Sequence, residues 1–121
     1  MLERKMNGDS MLFYEGGKLV LSVDEQETDN GILMVLKGEL RSETAQHIQH
    51  ELDAFTAMGV SVTMDFKEVT YITSSVLYAL LSSQQLIDFF TRGSILLKNV
   101  PDAVYQEMEQ TGIAELLMIE E

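Results

Sequence analysis

The sequence contains no cysteine, a single proline and few basic residues. The absence of cysteine excludes disulfide bonds, thiolate metal sites and a cysteine nucleophile, and it is compatible with a reducing cytoplasm. The 8 Lys and Arg residues are outnumbered by 20 Asp and Glu residues, which gives a formal net charge of −12. An acidic surface repels nucleic acid and anionic lipid, since both are recognised through basic side chains. We therefore expect no nucleic-acid or membrane partner, and a basic protein partner fits this charge.

Long apolar runs are also missing, because none approaches the roughly 18 residues of a transmembrane helix. The N-terminal MLERKMNGDS has no apolar core of the kind found in a signal peptide. Residues 1–17 show no sustained period and end in two glycines, which predicts a leader or a short edge element. Residues 18–121 are then expected to form a single domain of a cytoplasmic protein.

Hydrophobic periodicity predicts the element order β-β-α-β-α-β-α-α. KLVLSVDE alternates as a half-buried strand, TDNG is a hairpin turn, and ILMVLKG is a continuously apolar strand. A helical stripe then follows at Ala45, Ile48, Leu52 and Phe55. Ser42 or Thr44 is a candidate cap for this helix, and Gly59 is a left-handed stop after it.

The second half continues the alternation of strands and helices. Residues 60–66 alternate as a strand, and a helix begins near Val76 after the short connection KEVTYI, in which two apolar residues face inward. SILLK is a short strand, Pro101 fits the first turn of another helix, and IAELL begins a last short helix. This order predicts an α/β fold with a partly parallel, mixed sheet.

Few residues suggest catalysis or metal binding. His47 and His50 share one face of the first helix, but that face lies near its polar side, so we expect solvated histidines and no metal site. The phosphate-binding patterns GxxxxGK[ST] and GxGxxG are absent, as is the GxSxG nucleophile elbow. We expect no enzyme, no catalytic residue and no cofactor.

The most informative stretch is YITSSVLYALL, which places Thr73, Ser74 and Ser75 between a strand and a helix. A helix start leaves backbone N–H groups unpaired, and serine or threonine caps them well. One cap needs one hydroxyl, whereas three follow one another here. A phosphoserine at this position gains from the helix dipole and adds charge and bulk, so capping and modification both remain open.

Two segments, LKGELRSETAQHIQHEL and FKEVTYITSSVLYALL, resemble the sulfate-transporter and anti-sigma-factor-antagonist (STAS) domain family, and the tail GSILLKNVPDAVYQEMEQTGIAELL is similar to the family's ending. The resemblance covers residues 18–120. It implies a STAS fold, a mixed sheet of four to five strands with four helices packed mainly on one face. It also implies a bacterial regulator of transcription that acts by binding an anti-sigma factor, often itself a serine kinase.

The resemblance further implies that Ser74 is the phosphorylated residue, with Ser75 and Thr73 as less favoured positions. The partner-binding edge it implies comprises the loop after the second strand and the segment that starts the second helix. Its predicted members are Glu39, Leu40, Arg41, Thr73, Ser74, Ser75, Val76 and Tyr78.

Other functions stay open at this point. The family motif has an acidic residue where this chain has Thr73 and glycines where it has Val76 and Tyr78. These differences favour a second interpretation, a scaffold or complex subunit that is never phosphorylated and that binds other STAS proteins. A third is a domain that binds a small molecule or nucleotide beyond the strand ends.

Overall fold

The computed structural model describes residues 1–90 and 92–120 and arranges them as a mixed sheet of six strands with three α-helices. The strands lie in the sheet in chain order. They are β1 Glu3–Asn7, β2 Ser10–Glu15, β3 Lys18–Thr28, β4 Gly31–Leu40, β5 Ser61–Ile72 and β6 Ser94–Lys98. The first four strands are antiparallel neighbours, whereas β4, β5 and β6 run parallel because a helix connects each successive pair.

The helices are α1 Ser42–Ala57, α2 Ser74–Phe90 and α3 Asp102–Gln110. The predicted apolar stripe of α1 is confirmed, since Ile48 and Leu52 are fully buried. Within the described residues, no helix is long and apolar enough to cross a lipid bilayer.

Burial is much deeper on one face of the sheet than on the other. Met34 of β4 and Met64 and Phe66 of β5 are fully buried, because alternate strand residues point to the same face. The residues between them, such as Val35 and Thr63, keep part of their surface exposed. This asymmetry agrees with helices packed mainly on one face of the sheet.

The predicted count of four to five strands is too low, because residues 1–17 contribute β1 and β2. These strands form a hairpin that pairs with β3, and Met11 and Phe13 of β2 are buried in the core. Glu15 follows as the last residue of β2. The prediction for residues 1–17 was a leader or a short edge element, and it did not give these two strands, because the apolar run at residues 11–14 is short and its burial depends on pairing with β3.

The predicted fourth helix is also corrected. The segment after Gly112 forms a single 3-10 turn, Ala114–Leu116. At Leu117 the backbone becomes extended, and the next residues pair with β6, where the Leu97 N–H donates to the Met118 carbonyl at 2.9 Å. Pairing with the exposed edge of β6 therefore ends the turn before a helix can form.

The β1–β2 hairpin packs against α1 through His47. The His47 ring lies 5.5 Å from the ring of Phe13, and Arg4 Nη1 donates to His47 Nδ1 at 3.0 Å. Burial, followed by the charge of Arg4, lowers the pKa of His47. The prediction of a solvated side chain is therefore wrong for His47, whereas His50 is exposed as expected.

Two carboxyl groups meet where β3 passes under α1. Burial raises the pKa of Glu25 from 4.5 to about 8, and a hydrogen bond with Glu51 and the negative charges of Glu51, Asp9 and Asp24 add to this rise. The Glu25 Oε2 atom has no hydrogen-bond partner among the described residues. At neutral pH this pair therefore holds a proton that the unfolded chain would release.

We expect Glu25→Gln to remove the pH dependence of folding stability that this proton causes. A carboxyl group whose pKa is raised on folding stabilises fully below its unfolded pKa of 4.5, and that contribution is lost as the pH rises to about 8. Because the group is partly exposed, screening reduces the effect, and the variant should be more stable than the wild type by about 1–2 kcal/mol above pH 8. Urea unfolding at acidic and alkaline pH measures this difference.

Glu27→Gln is the matched control, because Glu27 lies two residues further along the same strand and is exposed. It removes the same charge and should leave the pH dependence of stability unchanged. Equal behaviour of the two variants would contradict the assignment of the proton to the buried pair.

Candidate functional site at the starts of two helices

The ends of β4 and β5 bring the starts of α1 and α2 together. Leu40 and Ile72 are paired in the parallel register, and the two helices begin at Ser42 and Ser74. The segment KEVTYI continues β5 to Ile72, which corrects its prediction as a connection. Both helix starts therefore lie at one edge of the sheet, where free N–H groups and the helix dipoles create a positive potential.

A chain of three hydroxyl groups links the two helix starts. Thr73 Oγ1 lies 3.0 Å from Ser75 Oγ, and Ser75 Oγ donates to Ser42 Oγ at 2.9 Å. Two of the three predicted hydroxyl residues, Thr73 and Ser75, are thus held by partners within the structure.

Ser74 differs from its two neighbours. It is exposed at the first position of α2, and its hydroxyl takes part in none of the hydrogen bonds among the described residues. Tyr78 lies one helical turn further along the same face, and 56% of its surface is exposed. Among Thr73, Ser74 and Ser75, Ser74 is the most exposed residue.

Backbone contacts hold the start of α2 in place. The Thr73 N–H donates to the Leu40 carbonyl at 3.0 Å, and the Thr73 carbonyl accepts from the N–H groups of Val76 and Leu77. Thr73 therefore joins the end of β4 to the first turn of α2.

The start of α1 does not use the predicted caps. Arg41 occupies the cap position and makes no side-chain capping bond. Ser42 is already helical and accepts from Ser75, and the Thr44 hydroxyl donates to the Arg41 carbonyl at 2.7 Å. The capping prediction fails because both hydroxyls find other partners, one of them supplied by α2.

Arg41 is held by two carboxylates. Its guanidinium lies 3.1 Å from Glu15 of β2 and 3.3 Å from Glu39. The hydrogen bond to Glu15, followed in size by the one to Glu39, raises the pKa of Arg41. Glu39 is the penultimate residue of β4, and not part of a loop as predicted. The sequence carries no local signal for Glu15, because this contact depends on how β2 and β3 pair.

The structure removes two residues from the predicted binding edge. Leu40 and Val76 are fully buried in the core, so their side chains are not available to a partner. The six remaining predicted residues form what we term the helix-start surface: Glu39, Arg41, Thr73, Ser74, Ser75 and Tyr78. Within residues 1–90 and 92–120, no group of three histidine or acidic side chains is arranged to hold a metal ion.

Comparison with known proteins places this geometry in a family. The family model described as Mlab, STAS domain matches residues 23–120. A putative anti-sigma factor antagonist from Thermotoga maritima superposes with a TM-score of 0.70 and 15% identity, covering 82% of this chain and 86% of that chain. No curated protein matches the chain.

Two structures of SpoIIAA are also similar. The unphosphorylated anti-sigma factor antagonist has a TM-score of 0.67 at 15% identity, with coverage of 82% of this chain and 88% of that one. The phosphorylated form, a Bacillus cell fate determinant, has a TM-score of 0.62 at 15% identity, with coverage of 82% and 91%. These TM-scores show a shared fold, and the family model spans well over half of the chain, so the chain belongs to the STAS domain family.

Proposed function

We propose that this chain is a regulatory protein-binding module whose partner docks on the helix-start surface, and that phosphorylation of Ser74 controls the docking. The observation that carries the proposal is the exposure of Ser74 at the first position of α2, where its hydroxyl has no hydrogen-bond partner among residues 1–90 and 92–120. A STAS fold similar to anti-sigma factor antagonists supports binding, and not catalysis, as the activity.

A phosphate at Ser74 would act by charge and size. It adds about 1.5 to 2 negative charges, and the N–H groups at the start of α2 stabilise an anion there. Thr73 and Ser75 need not move, because they are already bonded to each other. The modification therefore changes the surface that a partner meets while the fold stays the same.

The proposed partner is an anti-sigma factor of the serine-kinase type. Structures similar to this chain are named as anti-sigma factor antagonists, and one of them is a phosphorylated form. The net charge of −12 favours a partner with a basic docking surface, since opposite charges speed the encounter and orient the two proteins.

Mass analysis of the protein purified from its native cells tests this proposal. We expect a population with one added phosphate, mapped to Ser74 and absent from Ser74→Ala. Ser75→Ala is the matched control, and it should keep the phosphate because Ser75 is turned toward Ser42. Phosphate found on Ser75, or retained in Ser74→Ala, would contradict the assignment.

A second candidate is a complex subunit that is never phosphorylated. The hydroxyl chain through Thr73, Ser75 and Ser42 favours it, because this chain gives two of the three hydroxyls a structural role. In that case the protein should stay unmodified under all growth conditions. A partner purified with it should also bind Ser74→Glu as tightly as the wild type.

A further inference from the structure

The two edges of the sheet differ in how they are covered. At β6, the Leu97 N–H donates to the Met118 carbonyl and the Leu97 carbonyl accepts from the Glu120 N–H, so residues 118–120 cover part of this edge. At the other edge, all five residues of β1 are exposed, and no strand of the described chain lies beyond β1. An uncovered edge strand presents backbone donors and acceptors to another chain.

The hairpin turn determines which backbone groups of β1 point outward. Asn7 pairs with Ser10 across a two-residue turn, and a turn of this length closes on a hydrogen-bonded pair. Bonded and non-bonded pairs alternate in an antiparallel ladder. The N–H and carbonyl groups of Arg4 and Met6 therefore point away from β2, and the same alternation continued along the chain reaches Leu2.

The side chains of β1 are divided between the two faces of the sheet. Arg4 lies on the face that the helices cover, where its Nη1 atom donates to His47. Glu3 and Lys5 lie on the opposite face, where the Lys5 ammonium is 5.1 Å from the Tyr14 ring centroid. Among the described residues, neither Glu3 nor Lys5 forms an ion pair. Two opposite charges are therefore available to a neighbouring strand.

We propose that β1 pairs with β1 of a second copy of this chain, antiparallel and centred on Arg4, so that one sheet runs through a symmetric dimer. In this register Glu3 of each copy faces Lys5 of the other, which forms an ion pair on each side of the axis. Leu2 likewise faces Met6, whose side chain is 59% exposed. The contact is self-complementary, as a two-fold axis requires.

The neighbouring register is less favourable. If the axis passed through Lys5, the two Lys5 ammonium groups would repel each other and Glu3 would face the uncharged Asn7. The register centred on Arg4 also brings two like charges together, but each Arg4 guanidinium is directed to His47 of its own helix. The net charge of −12 opposes association at long range, and salt at about 0.15 M screens this repulsion more than it screens ion pairs in contact.

This interface is separate from the helix-start surface. β1 supplies none of the residues of that surface, and it lies outside residues 23–120, which the family model matches. The inference therefore does not depend on the phosphorylation of Ser74.

Charge reversal tests the pairing. The wild-type protein should sediment as a monomer–dimer equilibrium at about 0.15 M salt. Glu3→Lys alone or Lys5→Glu alone places like charges across the axis and should weaken dimerisation at least about tenfold. An equimolar mixture of these two variants should form a heterodimer, because each ammonium then faces a carboxylate of the other variant.

Lys67→Glu is the matched control, since it makes the same change of charge at an exposed position of β5. It should leave dimerisation unchanged. A wild-type protein that stays monomeric up to about 1 mM would overturn the proposal. Equal weakening by Lys67→Glu and Lys5→Glu would also overturn it.

A single cysteine locates the axis. The chain has no cysteine, so a disulfide formed by Arg4→Cys must join two copies. The Cα atoms of a hydrogen-bonded antiparallel pair lie about 5.5 Å apart, within the reach of a disulfide, so mild oxidation should give a covalent dimer. Lys5→Cys is displaced from its counterpart in this register and should cross-link at least about tenfold more slowly. Faster cross-linking of Lys5→Cys, or none by either variant, would overturn the proposal.

Discussion

Phe13→Ala is expected to lower the free energy of unfolding by about 3–5 kcal/mol. Phe13 is only 2% exposed, pairs with Leu21 of β3 and contacts the His47 ring. Removing its ring leaves a cavity between the hairpin and α1. The loss of stability combines the hydrophobic free energy of burying the ring with the cost of that cavity. Urea unfolding followed by circular dichroism measures the change.

Tyr14→Ala is the control for this prediction. Tyr14 is the next residue of β2, and it is only partly buried, with the Lys5 ammonium 5.1 Å from its ring centroid. Tyr14→Ala should lower the free energy of unfolding by less than half as much as Phe13→Ala, because the core buries only part of the Tyr14 ring. Equal losses would mean that the hairpin opens independently of the core.

A large effect at Phe13 would also bear on the candidate site. The family model begins at residue 23, so β1 and β2 lie outside the matched region. The same hairpin supplies Glu15, which holds Arg41 at the helix-start surface. Anchoring of β2 by Phe13 would therefore show that this hairpin is part of the folded unit that orients Arg41.

Gly38→Ala is expected to produce the second large effect, a fall in the free energy of unfolding of about 3 kcal/mol or more. Gly38 of β4 has a φ of +116°, and a Cβ built on it would lie 2.1 Å from the Val20 carbonyl oxygen. That oxygen is a backbone atom of β3, and Val20 lies between Leu19 and Leu21, which both pair with β2, so it can move only if the backbone of β3 shifts. Both the unfavourable φ and the steric clash therefore oppose the variant.

Gly59→Ala separates these two contributions. Gly59 has a φ of +79°, but nothing lies within 4 Å of a Cβ built there. Gly59→Ala should lower the free energy of unfolding by only about 1–2 kcal/mol, which is the cost of placing alanine in a left-handed conformation. Thermal or urea unfolding of both variants gives the comparison, and equal losses would contradict a clash at Gly38. Because a register shift between β4 and β5 falls between Gly38 and Glu39, this glycine also sets how the end of β4 approaches the helix-start surface.

Periodicity in the sequence predicted most elements between residues 18 and 110. It succeeded for α1, where Ile48 and Leu52 mark the buried face, because helical spacing directly reflects which side packs on the sheet. It gave residues 1–17 only as a leader or a short edge element and not as the strands β1 and β2, because the apolar residues of β2 are buried through pairing with β3. It also failed at the last turn, where pairing with Leu97 replaces a helix.

For the candidate site, the resemblance named two segments that the structure brings together at the starts of α1 and α2, but it did not give the burial of each side chain. Leu40 and Val76 adjoin partly exposed polar residues in sequence, yet both are fully buried, because strand alternation and helix rotation turn them inward. The contact between Arg41 and Glu15 likewise has no local signature.

The sequence by itself determined the acidic composition, the element order between residues 18 and 110, and the run Thr73, Ser74 and Ser75 at a helix start, since these depend on composition and local spacing. Only the tertiary structure decided that Ser75 is bonded to Ser42 while the Ser74 hydroxyl makes no hydrogen bond within the part of the chain that the structure describes, and that a groove lies between the far ends of α1 and α2. Such features arise from the packing of segments that are distant in the chain, and the spacing of residues within one segment does not encode that packing.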